Sequence, residues 1–381
     1  MSGITTTTDK TTARRSMKQW LAVLLGALIV AGCAGGPNGS RRASLEDVAP
    51  DFRTLTGWID DNHAEAVPAL RQSCVWFNRV KADREIGPGG MAGRAADWRP
   101  MCAAARDLSD QDSESARQFF EKWLAPVSLG GGKEGLFTGY FEVDLKGSWS
   151  KTAEFNVPLY RSPGSGSMPE RARIVAGALA GRGLELMWVS DPVDAFILEI
   201  QGSGRVTMPD GQVVRVGYGG QNGHTYYPIG RHLIDQGFYQ PDQMNLPVIR
   251  QWLHEHPRDA QRVMNLNPSY VFFKIERGEA AKGAANVPLT PGRSMAVDTS
   301  YVPLGVPLWL DLRQAPTSNG VIRRLVMAQD TGGAIKGAVR GDLFWGRGDD
   351  AVDGAGRMKA RGRYAMLAPR AIVERKFTAA R

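Results

Sequence analysis

The sequence predicts a mainly β protein with flanking helices. Apolar residues recur at helical spacing only in the first third of the chain and in a few short later segments. From Gly135 onward the dominant period is two, the signature of strands. Gly- and Pro-rich turns between the later apolar runs make the carboxy-terminal third all-β, most simply a small closed barrel.

Each element has its own signal. In "HAEAVPALRQSCVWFNRV", Val67, Leu70, Cys74 and Phe77 form one helical stripe. In "SDQDSESARQFFEKWLAP", Ala116, Phe119, Phe120 and Trp123 repeat the pattern, with Asp112 placed to cap. These aromatics read as core. "LFTGYFEVDL" alternates Phe137, Gly139, Phe141 and Val143 against Thr138, Tyr140, Glu142 and Asp144, and reads as one strand. Residues 163–168 form a loop, and Ser167-Met-Pro-Glu170 is a capping box for a short helix ending near Gly181. "AFILEIQGSGRV" reads as a further strand, with Glu199, Gln201 and Ser203 on one face and a hairpin turn at Pro209-Asp210-Gly211. Two short helices, around 247–255 and 258–266, precede the strands "PSYVFFK", "SMAVDTS", "VPLWLDL", "IRRLVMAQD" and "GRYAMLAP".

The chain has 381 residues, 43% of them hydrophobic, enough for one large or two medium domains. Its net charge is +8. Residues 1–32, where Lys10, Arg14, Arg15 and Lys18 oppose Asp9, carry +3 of it and leave +5 on the remainder. The modest remainder suits an acidic polymer or an anionic membrane face, and no basic cluster interleaved with aromatics argues for nucleic acid.

The stretch "RRSMKQWLAVLLGALIVAGCAGG" runs from basic residues through an apolar segment too short to span a membrane stably. Its end, "VAGC", resembles a lipobox. Residues 1–32 then form a signal peptide and Cys33 is the lipidated first residue; an ordinary signal peptide or an uncleaved anchor are the alternatives. Residues 33–44 are small, polar and Gly/Pro-rich, and read as a tether. Export implies an oxidising compartment, so Cys74 and Cys102 form either a disulfide or two buried thiols.

"VMAQDTGGAIKGAVRGDLFWG" contains Asp330 and Asp342, and "VDTS" contains Asp298. "DTG" also occurs in aspartic proteases, which need two carboxylates about 3 Å apart delivered by similar lobes. No second lobe repeats the surroundings here, and "VDTSYVP" lacks the expected glycine. The chain's 5 histidines offer no metal site, since His254 and His256 point their rings to different faces of a helix end. No nucleophile–histidine arrangement and no phosphate-cradling loop is visible; "GPGGMAG" follows no strand. Neither a metal nor an organic cofactor is expected.

The blocks "TGYFE", "LEIQGSGRV", "VGYGGQNGHTYYPIGRHLI", "NPSYVFFK", "VPLTPGRSMAVDTSYVPLGVPLWL" and "AQDTGGAIKGAVRGDLFWG", in this order, resemble the membrane-bound lytic murein transglycosylase A family, which carries a three-aspartate domain. The resemblance runs from about Pro50 to the end. It implies a double-psi β-barrel domain (45–142 plus 268–381) into which a second, smaller β-domain (143–267) is inserted, with a groove between them for the glycan. It further implies cleavage of peptidoglycan without water, at the periplasmic face of the outer membrane, with a lipid anchor and with a cell-wall synthesis complex as a candidate partner. Asp342 would be the catalytic acid and base. Asp298 and Asp330 would support it through hydrogen bonds and a like-charge repulsion that raises its pKa. Thr138, Tyr140, Gln201, Gly202, Ser203, Tyr218, Gly332, Gly333 and Lys336 are the candidate substrate-binding residues. A non-catalytic peptidoglycan-binding lipoprotein and a hydrolytic muramidase are the rival readings.

Overall fold

The computed structural model describes residues 51–164 and 168–379; the expected signal segment, Cys33 and the expected tether lie outside them. Among the described residues no helix is long and apolar enough to cross a membrane.

Short 3-10 turns lead into α1 (Val67–Arg79), followed by α2 (Ala95–Ala104) and α3 (Ser113–Trp123). The stripe read from sequence is buried in α1, with Val67, Leu70, Cys74 and Phe77 all in the core. Asp112 caps α3 by accepting from the Ser115 amide at 3.1 Å. A disulfide joins Cys74 of α1 to Cys102 of α2.

The strands β1 (Leu124–Ser128), β2 (Gly135–Tyr140), β3 (Val143–Ser148) and β4 (Val157–Tyr160) follow, then α4 (Arg171–Arg173), which a π-turn continues. Next come β5 (Glu185–Val189), α5 (Pro192–Gln201), β6 (Ser203–Thr207), β7 (Val213–Gln221), α6 (Ile229–Asp235), α7 (Leu246–Glu255) and α8 (Pro257–Met264). The chain ends with β8 (Val271–Glu276), β9 (Ser294–Val297), β10 (Pro307–Arg313), β11 (Val321–Asp330), β12 (Arg340–Phe344), α9 (Asp349–Arg357), β13 (Lys359–Pro369) and α10 (Arg370–Ala379).

One sheet runs β13-β10-β11-β9-β12-β2 and closes where β2 pairs again with β13, so six strands form a barrel with β1 beside β13. The second sheet runs β4-β5-β3-β6-β7-β8. The expected class holds: mainly β, with flanking helices, a barrel and a second β-unit between its strands. Each sheet has its own apolar core. Helix α9 bridges them, since Ala351 and Ala355 pack into the second core.

Four expectations are corrected. "LFTGYFEVDL" is two strands in different sheets, because the Phe141 amide turns away to the Gln201 side-chain oxygen at 3.0 Å. The adjoining Glu142 carboxylate is buried against Arg215. "AFILEIQ" is helix α5, not strand, so Glu199 and Gln201 share no strand face with Ser203. Its Val193, Ala195, Phe196, Ile197 and Leu198 are all buried, and a segment apolar on every side shows no period. Its ends carry the signal instead: Asp191 accepts from the Val193 amide at 2.7 Å, Pro192 opens the first turn, and Gly202 takes the left-handed conformation at the stop. The helix after residue 168 begins at Arg171 with Glu170 as its cap residue, not in the predicted box; Ser167 itself lies outside the described residues. The last third is not all-β, since it contains α9 and α10.

Candidate active site

Strand register assembles the aspartates. On β9, Ala296 pairs with Asp330 of β11 on one side and with Asp342 of β12 on the other. Asp342 in turn pairs with Thr138 of β2. Laterally paired residues point to one face of a sheet, and so do residues two apart along a strand. Asp330, Asp342, Thr138, Tyr140 and Arg340 therefore share one face, and Asp298 follows directly after the end of β9. The shared face is the barrel's outer face, because the alternating neighbours Phe137, Met295, Val297 and Leu343 lie in the main core. Ala296, Tyr140 and Phe344 form a separate small cluster with Ala281, Leu289 and Ile335. Asp330 and Asp342 flank one strand, which sets their backbones roughly 10 Å apart, so no protease-like dyad forms by register.

Each aspartate is held differently. Asp342, partly buried, accepts at Oδ1 from the Thr138 hydroxyl at 2.5 Å. Burial pushes its pKa up, while the Thr138 bond and the Arg340 charge pull the other way. Asp330 accepts at Oδ1 from the Ala284 and Thr331 amides, each at 2.8 Å, and at Oδ2 from the Tyr140 hydroxyl at 2.8 Å. Burial, assisted by the Asp342 charge, outweighs those bonds and lifts Asp330 to about 6. Asp298 is buried too, which favours its neutral form. The Gly337 and Ser300 amides, with Lys336, outweigh that and hold it below the ordinary carboxylate range.

The expected hydrogen bonds from Asp298 and Asp330 to Asp342 are not found among the described residues. Among the described residues the carboxylates of Asp298 and Asp330 bond to other groups, and it is burial that raises Asp342. The Asp330–Asp342 repulsion is mutual, and it adds to the raised value of Asp330.

The remaining candidates divide. Thr138 and Tyr140 stand in the aspartate cluster, and their hydroxyls are already committed to Asp342 and Asp330. Gly332, Gly333 and Lys336 lie on the loop after Asp330, where Lys336 is exposed and acts on Asp298 by charge. Gln201, Gly202 and Ser203 form the α5–β6 junction, which the Gln201–Phe141 bond ties to the end of β2. Tyr218 is 52% exposed on β7 of the second sheet, where no aspartate of the three lies. Trp345 packs between Gly139 and Gly354, where a Cβ would meet its ring within 2.6 Å and 2.3 Å. A cleft of about 630 Å³ opens nearby on the second sheet, lined by Arg205, Arg215, Glu276 and Arg347, with none of the three aspartates in its wall.

Sequence reasoning missed Arg340, whose Nη2 donates to Thr138 Oγ1 at 2.9 Å. Its signal was position: two residues before Asp342 on a strand, it shares Asp342's face. That inference needs 340–344 to be read as a strand, and in "VRGDLFWG" the glycines at 341 and 346 leave no alternation long enough to show one.

Comparison with known proteins agrees with this architecture. Residues 136–274 match the MltA specific insert domain and residues 293–368 match the 3D domain. The membrane-bound lytic murein transglycosylase A of Vibrio cholerae is 32% identical over 91% of this chain and 94% of its own length. The Escherichia coli K12 protein of the same name is 37% identical over 67% of this chain and 72% of its own. Among solved structures, a membrane-bound lytic murein transglycosylase from Agrobacterium tumefaciens superposes with a TM-score of 0.76 at 32% identity, over 85% of this chain and 98% of that one. Escherichia coli MltA with bound chitohexaose superposes with a TM-score of 0.67 at 29% identity, over 83% and 90%. The chain belongs to the membrane-bound lytic murein transglycosylase A family.

Proposed function

We propose that this chain is a peptidoglycan lytic transglycosylase that cleaves the β-1,4 bond between N-acetylmuramic acid and N-acetylglucosamine, with Asp342 as acid and then base. The observation that carries the reading is a desolvated carboxyl whose Oδ1 is fixed by Thr138, on the barrel's outer face. Burial favours its protonated form, which is what an acid needs before it can donate. Asp342 gives its proton to the leaving O4 as the C1–O4 bond breaks. The resulting carboxylate then takes the proton of the muramyl C6 hydroxyl as that oxygen bonds to C1, closing a 1,6-anhydro ring. The nucleophile is tethered within the substrate, so its effective concentration is high and one carboxyl suffices.

In this reading Asp330 keeps the local potential negative and Asp298 fastens the loop carrying Lys336. Gln201, Gly202, Ser203, Tyr218, Gly332, Gly333 and Lys336 face the glycan from the two β-units. The bound chitohexaose of the Escherichia coli relative supports a saccharide ligand. The insert, expected at 143–267, is proposed to run on through β8, because β8 pairs with β7 in the second sheet; residues 45–142 and the chain after Glu276 are proposed as the barrel domain. Cys33 is proposed as a lipid anchor at the periplasmic face of the outer membrane, in keeping with the membrane-bound relatives.

Asp330 gives a specific reason to weigh hydrolysis, since it is a second buried carboxyl on the same face one strand away from Asp342, and inverting hydrolases use two separated carboxyls. Digestion of purified sacculi with wild-type protein and Asp342→Asn, followed by mass spectrometry, separates the readings. Anhydro ends from the wild type and none from the folded variant are expected. Reducing ends would mean hydrolysis, and substantial cleavage by the variant would move the acid to another carboxyl.

A further inference from the structure

We propose that Arg340 is a positioning residue for the reaction at Asp342, acting through the Thr138 hydroxyl to fix which carboxyl oxygen carries the transferable proton. The inference rests on the reading of Asp342 as the acid and extends it by a residue that reading does not use.

The argument follows from donor and acceptor counts. A guanidinium can only donate, and a threonine hydroxyl has a single hydrogen. Arg340 Nη2 donates to Thr138 Oγ1 at 2.9 Å, so the hydroxyl hydrogen is left for Asp342 Oδ1, 2.5 Å away. Oδ1 is then an acceptor in both protonation states, and the movable proton sits on Oδ2. Arg340 cannot easily turn away, because its Nη1 donates to the carbonyls of Leu136 and Gly341, one on each strand of the parallel pair β2–β12. Its charge, passed through a polarised hydroxyl, stabilises the carboxylate that proton donation leaves behind.

Other ionisable groups face this site. Asp330 stands across β9 and Tyr140 two residues along β2, both sensing the Asp342 charge. Lys359 lies opposite Thr138 on β13, but its ammonium is held by the Pro241 carbonyl at 3.0 Å. Asp298 and Lys336 offset each other beyond the end of β9. Arg340 is the cation aimed into the pair.

The test is a carbon-13 carboxyl titration of Asp342 by NMR, beside the pH profile of kcat on sacculi. In Arg340→Met the Asp342 midpoint and the basic limb of kcat should both move up by about one pH unit. On the acidic plateau kcat should fall several-fold, because a weaker acid donates less readily, with KM little changed, and the deficit should shrink as pH rises, where more of the variant's Asp342 stays protonated. Thr138→Val should shift the midpoint the same way, and the double variant by less than the sum of the two single shifts. Arg340→Lys should restore most of the effect. An unmoved midpoint in Arg340→Met, or shifts that add in the double variant, would overturn the relay. If Arg340→Met does not fold, Arg340→Gln carries the same expectation. Failure of the underlying reading shows separately, as an Asp342→Asn protein that still cleaves while the titration behaves as described.

Discussion

Asp330 is held at about 6 by burial, which makes it a liability to the fold as much as part of a site. Between its unfolded value near 4 and this raised value the folded chain binds the extra proton. The stability it contributes is therefore complete below the unfolded value and lost as pH rises through about 6. Asp330→Asn should accordingly be more stable than wild type at pH 8, by on the order of 2 kcal/mol after allowance for partial solvent access, and no more stable at pH 3. Denaturant titrations at the two pH values check this; equal stabilisation at both would show that charge is not the cause. Asp298 has the opposite sign. Its lowered pKa means that it stabilises above the unfolded value and that this is lost on acidification, so Asp298→Asn should cost stability at pH 7 and little at pH 2. Among these groups, the family resemblance marked out the aspartates, whereas the Thr138, Tyr140 and Arg340 partners depend on strand register, which a single sequence does not display.

Helix α5 shows where local pattern gives way to end signals. Its apolar residues are continuous, so period could not distinguish helix from strand; Asp191, Pro192 and Gly202 could. Asp191→Ala removes the acceptor for the Val193 and Asp194 amides and should cost about 1 kcal/mol, measured as a lower Tm. A null effect would mean that packing alone holds the helix. The α5 helix also carries Glu199, whose carboxylate receives both arms of the buried Arg171 at 2.8 Å. Removing one partner strands a buried charge, so Glu199→Gln should destabilise by about 3 kcal/mol or more. The amphipathic α1 and α3 were legible because one side meets water, and the hairpin at Pro209-Asp210-Gly211 because its turn chemistry is local. The break at Phe141–Glu142 was not, since the residues that impose it, Gln201 and Arg215, lie far along the chain.

At the scale of the molecule, two devices keep the aspartate face in place. Gln329, next to Asp330, is buried and donates to the Ala69 carbonyl at 2.7 Å and to Ser73 at 3.0 Å, fastening β11 to α1. The Cys74–Cys102 disulfide fastens α1 to α2. Replacing both cysteines with serine should lower stability by about 3 kcal/mol through the unfolded chain, with turnover per folded molecule unchanged. The proposed chemistry needs only that this scaffold hold one desolvated acid beside a glycan whose own hydroxyl attacks. Digesting sacculi in water enriched in oxygen-18 tests that most directly. The account predicts products whose new muramyl ends are one water lighter than hydrolytic ends and carry no label. Labelled, reducing muramyl ends would contradict it.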